Sequence, residues 1–218
     1  DWIEKQWEII SNNNYEIVSG VCLLKGEGLI DIAAVSQTYG FNRKRPCVPS
    51  TIVKKSIFDK TGLFMENRRA GYDADWPLQL KKMGIHREIN WSMIITYNGV
   101  NFGSSIINIF QKTINYAIPT VGLRSYTIPY YYLIALFVFT ASTIVSINLS
   151  LVLLFLYVLF RGYIIPIKKS SGIQVYKYYP IILLLSPIIG FIIDLGKIIG
   201  ISIGFNRYHL QKIFKRYD

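Results

Sequence analysis

Between Arg124 and Arg161 the chain runs for 36 residues without a charged side chain. A bilayer core takes roughly 20 helical residues to cross. As a single helix, 36 residues would measure about 54 Å, against a hydrocarbon core of roughly 30 Å. A hairpin is the economical solution. Ser146-Ile147-Asn148-Leu149-Ser150 is the polar interruption, so the turn is expected there, with arms over about 130–145 and 151–167. Tyr130, Tyr131 and Tyr132 stand where an aromatic belt belongs, and Arg161 and Tyr163 mark the other edge. A chain of 218 residues is too short to bury so much apolar surface in a soluble core.

Charge divides the chain in the same way. Residues 1–128 hold 15 basic and 11 acidic side chains, and residues 129–218 hold 9 and 2, so the net +11 splits into +4 and +7. The cations of the second half flank apolar runs. Arg124 precedes the hairpin and Arg161, Lys168, Lys169 and Lys177 follow it, while its turn is uncharged. By the positive-inside rule both ends of the hairpin face the cytoplasm. A third apolar run, 178–193, contains Pro180, Pro187 and Gly190 and is followed by Asp194 and Lys197, one helical turn apart. These two either pair or both reach the interface. A full crossing would export Arg207, Lys212, Lys215 and Arg216. A re-entrant or interfacial segment over about 178–203 is therefore expected ahead of a third span, with a basic tail at 205–218. The whole predicts a multi-pass protein of the cell membrane with its globular half in the cytoplasm.

Residues 1–128 alternate helical and extended patterns, which predicts an α/β layer. Ile3, Trp7 and Ile10 share a helical face, and Ser11-Asn12-Asn13-Asn14 ends that helix. Residues 15–24 read as a strand, 29–39 as a short helix and 41–45 as a basic loop. Pro46 and Pro49 bracket Cys47 and Val48, and 50–60 reads as a helix through Ile52, Val53, Ile57 and Phe58. Residues 73–83 form a helix that Gly84 stops, 89–97 a strand, and 103–116 an amphipathic helix with Ile106, Ile107, Phe110 and Ile114 on one side. Only two or three strands can be found. Two cysteines and two histidines exclude a disulfide scaffold and a histidine-rich metal site.

The densest acidic site is Tyr72-Asp73-Ala74-Asp75-Trp76. A carboxylate at a loop-to-helix entry can act as a general base on a hydroxyl, and an aromatic face can pack on a sugar ring. On the residues alone the pair also reads as a helix N-cap, or as an Asp-x-Asp metal site. The basic run Arg43-Lys44-Arg45 would meet a phosphate or the anionic leaflet, or stand as a solvated surface.

The order of these pieces resembles the acceptor-side half of family-2 glycosyltransferases. In that family a Ser-x-Ile-x-basic-basic helix leads to Gly-x-Phe, then to an acidic Glu-Asp-x-Asp-(Trp/Leu)-x-x-Arg motif and a short helix ending in Gly. Here stand Arg45-Pro46-Cys47-Val48-Pro49-Ser50-Thr51-Ile52-Val53-Lys54-Lys55-Ser56, Gly62-Leu63-Phe64, Tyr72-Asp73-Ala74-Asp75-Trp76-Pro77-Leu78-Gln79 and Met83-Gly84. Tyr15–Gly20 and Asp1-Trp2-Ile3 resemble earlier family segments, and the trailing hairpin resembles that of membrane-anchored members. Tyr72 stands where the family usually has Glu, and Gln79 where it often has Arg.

The resemblance implies a partial GT-A-like, Rossmann-like sandwich over 1–128 and a membrane region over 129–218. It implies Asp73 as catalytic base, with Asp75, Trp76 and Tyr72 supporting the site and the acceptor. The family's nucleotide-binding strands and metal site precede the matching segment. The chain is thus expected to be the acceptor-side part of a longer enzyme, with no metal ligands of its own and with Mg or Mn held mostly outside it. The implied partners are a nucleotide-sugar donor, a lipid-linked or membrane-proximal glycan acceptor of a cell-envelope polysaccharide, and the membrane, but no nucleic acid. The alternative from another class is a non-catalytic basic membrane scaffold.

Overall fold

The computed structural model describes residues 2–65, 70–97 and 105–214, with side chains as far as Tyr208. It is mostly helical, with one small mixed sheet and three long apolar helices.

Helix α1 (Trp2–Asn13) ends where the asparagine run begins to turn, with Asn14 at φ 52°. Its buried face is Gln6 and Ile10, not the expected Ile3–Trp7–Ile10 stripe, and Ile3 and Trp7 are exposed. The Gln6 amide explains the choice. It donates to the Ser50 carbonyl at 2.9 Å and so joins the helix to a strand edge.

Strand β1 (Ile17–Leu24) is the middle of three. It pairs antiparallel with β2 (Arg45–Val53) and parallel with β3 (Glu88–Tyr97). Helix α2 (Leu29–Thr38) links β1 to β2 and is buried over most of its length. The helix expected over 50–60 is instead the end of β2 followed by the short α3 (Ser56–Thr61). Pro46 and Pro49 are compatible with a strand because β2 lies at the sheet edge, where a missing N–H costs no ladder bond. Among the described residues the sheet stops at three strands, a small mixed sheet and not the expected Rossmann-like sandwich.

Helix α4 (Tyr72–Lys82) is entered through Gly71 and closed by Gly84, at φ 94° and 69°. Helix α5 (Ile106–Ala117) buries Ile109, Thr113 and Ala117, and leaves Ile106 and Ile107 exposed. The expected buried stripe was thus one step around the helix. What covers α5 is a row of glycines. Gly196, Gly200 and Gly204 of α10 (Ile182–Phe214) press on Phe110, Thr113, Ile114, Ala117 and Ile118, so close that a Cβ on Gly200 would meet the Ile114 carbonyl at 2.6 Å. Small residues four apart let two helix backbones approach in this way.

The hairpin is α6 (Ile128–Val145) followed by α7 (Ile147–Leu159), a π-helical turn (Phe160–Ile164) and α8 (Ile165–Lys169). The reversal is tighter than expected, at the single extended residue Ser146. Ser150 is already inside α7, where its hydroxyl meets those of Ser142 and Thr143 at 3.2 and 3.0 Å. A short helix, α9 (Gln174–Tyr178), leads to α10.

Helices Ile128–Val145, Ile147–Lys169 and Ile182–Tyr208 are each long and apolar enough to cross a membrane. Their surroundings differ. Only 11% of the first apolar window is covered by protein, against 39% of the third. From Ser186 to Gly204, α10 runs along α2 and α5 of the globular half, a stretch of about 27 Å at 1.5 Å per residue.

Candidate functional site

A cleft of about 660 Å³ opens where the globular half meets the apolar helices. Asp73 and Tyr72 enter it from the first turn of α4, and Arg45 from the start of β2. Tyr39, Tyr97 and Tyr126 line the globular side. Ile128, Pro129 and Tyr132 of α6, Lys169 of α8, and Ile193, Lys197 and Ile201 of α10 line the other.

Gly71 sets the position of Asp73. At φ 94° it turns the loop sharply into α4, and a Cβ there would lie 2.6 Å from Leu123 Cδ1. Only glycine fits both the left-handed backbone and that approach. Asp73, the expected base, is solvent-exposed at the cleft. Burial, and then the Asp73 carboxylate, push the Tyr39 hydroxyl up to about 12. The same two causes raise Tyr126. Tyr97 also rises, chiefly through burial. These phenols are therefore neutral at pH 7, and their rings suit a sugar face.

The other expected site residues part company with Asp73. Asp75 is buried and accepts from the Ser125 and Tyr126 N–H groups at 2.5 and 3.0 Å and from Gln79 Nε2 at 2.7 Å. It holds the segment entering α6, as a positioning group. Among the described residues no three His, Cys, Asp or Glu side chains gather around one point. Trp76, expected in the acceptor wall, is instead 3% exposed and packs with Ile17, Ile57 and Leu80. It also stacks on Phe58 with ring centres 6.3 Å apart. The aromatic wall of the cleft is made of tyrosines.

The basic run divides as well. Arg43 donates to the carbonyls of Lys168 and Lys169, and Arg45 to that of Lys169 at 3.1 Å. Both guanidiniums thereby cap the C-terminal end of α8, where the helix dipole favours a cation. Of the three, only Arg45 also faces the cleft, while Lys44 is exposed.

Sequence reasoning missed the network beneath the cleft. Arg161, expected to mark a membrane edge, is 5% exposed. It binds Asp194 through Nε at 2.6 Å and Nη2 at 3.1 Å, and donates through Nη1 to the Gln37 side chain. Asp194 also accepts from Tyr132 and Tyr157 at 3.2 and 3.0 Å. Gln37 donates to Ser186 Oγ at 2.7 Å. The spacing of Asp194 and Lys197 suggested an ion pair, and the two are 4.0 Å apart, but the closer partner is Arg161, 33 residues away.

No protein-family model, curated protein or solved structure matches the chain. Its functional reading rests on the cleft.

Proposed function

We propose that the chain is the acceptor-side part of a membrane-anchored glycosyltransferase of the family-2 type. It transfers a sugar from a nucleotide-sugar to a lipid-linked or membrane-proximal glycan at the cytoplasmic face. The observation that carries this reading is Asp73, an accessible carboxylate in a tyrosine-lined cleft whose far wall is made by membrane-helix ends. An acceptor bound there is held next to the bilayer.

In the reaction, the Asp73 carboxylate takes the proton of the acceptor hydroxyl as its oxygen attacks the anomeric carbon. The new C–O bond forms on the face opposite the leaving group. The bond from carbon to the diphosphate oxygen breaks, its electron pair leaves with the nucleotide, and the anomeric configuration inverts. The tyrosine hydroxyls orient the acceptor, which converts an encounter into a near-attack geometry. A divalent cation, Mg or Mn, belongs to the donor side of this reading.

The test is Asp73→Asn in the full-length protein reconstituted in liposomes, with a radiolabelled nucleotide-sugar and extracted membrane lipids as acceptors. The amide keeps the shape of the side chain but cannot take the proton. Transfer is expected to fall by about 10²–10⁴-fold. Unchanged transfer would remove Asp73 as the base and favour a non-catalytic scaffold.

In the same reading α6 and the α7–α8 rod cross the bilayer, while α10 lies at the surface along the globular half and leaves the basic tail in the cytoplasm. Support comes from the packing of α10 on α2 and α5. Membrane-impermeant thiol labelling of Asn206→Cys and Ser11→Cys from one side, and of Ser146→Cys from the other, is expected. Labelling of Asn206→Cys together with Ser146→Cys would make α10 a third span.

A further inference from the structure

Three cations from three elements meet in the junction cleft: Arg45 of β2, Lys169 of α8 and Lys197 of α10. Asp73 is the one acid among the described residues that line it. The nearby Asp194 is already neutralised by Arg161, which leaves the charge of Lys197 in surplus. The Lys197 ammonium donates to the Tyr132 hydroxyl at 2.9 Å, and that of Lys169 to the Gln37 carbonyl at 2.9 Å. Each ammonium has three donors, so each can give more. Arg45 spends one nitrogen on the Lys169 carbonyl, and its buried Nε has no acceptor among the described residues.

Surplus donors and positive charge in a concave, partly desolvated site suit a group with several anionic oxygens. Phosphate is such a group. Ile128 and Pro129 of α6 and Ile193 and Ile201 of α10 add apolar surface to the cleft, and α6 leads from it to the bilayer. The group that suits both walls is an anion with a hydrocarbon chain. We propose that the cleft binds the phosphate head group of a lipid-linked acceptor on Lys197, Lys169 and Arg45, with the lipid chain leaving along α6 and α10. This rests on reading the cleft as the acceptor site of a sugar transfer. A nucleoside diphosphate offers the same oxygens without the chain, and the test separates the two sources.

The test uses full-length protein in phosphatidylcholine nanodiscs and a radiolabelled polyisoprenyl phosphate, with the matching polyisoprenol and uridine diphosphate as comparison probes. The phosphate form is expected to bind about tenfold or more tighter than the alcohol. Lys197→Gln and Lys169→Gln are each expected to weaken the phosphate form about tenfold and leave the alcohol unchanged. Lys197→Arg, which keeps the charge, should restore binding and guards against a merely misfolded glutamine variant. Equal binding of phosphate and alcohol would overturn the proposal. So would displacement of the lipid by uridine diphosphate as effectively as by unlabelled polyisoprenyl phosphate, since the cations would then serve a nucleotide. Asp73→Asn should retain lipid binding, or tighten it as a negative charge leaves the cleft, while transfer is lost, so failure of the binding and failure of the base are read on different measurements.

Discussion

The Asp75 carboxylate lies 2.5 Å from the Ser125 backbone nitrogen, 50 residues further along the chain. One side chain thus ties the helix that presents Asp73 to the segment that enters the first membrane helix. The cleft wall and its membrane neighbour are positioned as a unit.

Replacing Asp75 by Asn leaves the shape and one acceptor oxygen for the Ser125 and Tyr126 N–H groups, but it loses the charge that strengthens those bonds and sets an amide donor against Gln79 Nε2. A buried donor left unsatisfied costs about 1–3 kcal/mol. Thermal unfolding of the variant should show a loss of that size, with reduced transfer although Asp73 is intact. Wild-type stability in Asp75→Asn would show that the tie is not structural.

Gly200→Ala places a Cβ 2.6 Å from the Ile114 carbonyl and 2.7 Å from Ala117 Cβ. The helix-propensity gain of about 1 kcal/mol is outweighed, because backbone cannot yield as a flexible side chain can. Net destabilisation of about 1–2 kcal/mol is expected by circular dichroism melts in micelles. Gly28→Ala, with open space around the added carbon, is the control and should stay within about 0.5 kcal/mol of wild type. A rise in melting temperature for Gly200→Ala would contradict the close packing of α5 on α10.

Asp194→Asn strips Arg161 of its carboxylate while leaving it buried, which costs about 3–5 kcal/mol. The double replacement Arg161→Met with Asp194→Leu removes both charges and should recover most of that loss. With the single variants Arg161→Met and Asp194→Leu measured beside it, the pair forms a double-mutant cycle read by chemical denaturation. Additive losses would mean that the two residues do not act as a pair.

The neighbouring Cys22 thiol, helped by Ser50 and Arg87, lowers Cys47 to about 6. A group held below its unfolded value stabilises the fold fully above the ordinary thiol range, and that contribution disappears as the pH falls through about 6. Alkylation of Cys47 by iodoacetamide should follow a midpoint near 6. Cys22→Ala should move the midpoint up towards an ordinary thiol. No change on that substitution would show that Cys22 is not the partner.

The hairpin was legible because the absence of charge over 36 residues allows few alternatives in physical terms. Strands β1 and β3, helix α2 and the Gly84 stop were legible from local pattern. Strand β2 was not, because its two prolines argue against a strand unless the strand is known to be an edge. The buried faces of α1 and α5 were misread for a different reason. Both helices carry apolar residues on more than one side, and what decides the matter is the partner: an amide reaching Ser50, and a glycine row 86 residues away. Within the site, Asp73 stood out as an acid at a helix start. Tyr39, Lys169 and Lys197 did not, since nothing local brings a globular loop, a helix end and a distant helix to one cleft.

The glycine row of α10 also acts as a ruler. Ile193, Lys197 and Ile201 follow the same four-residue step as Gly196, Gly200 and Gly204, on the neighbouring row of the helix. Each glycine is seated under a particular backbone group of α5 or its continuation. The helix therefore cannot slide by a fraction of a turn without a collision, and the next seat is about 6 Å away. The height of the cleft floor is quantised. It can be changed by swapping the side chains at 193, 197 and 201, but not by a gradual shift of the helix that carries them.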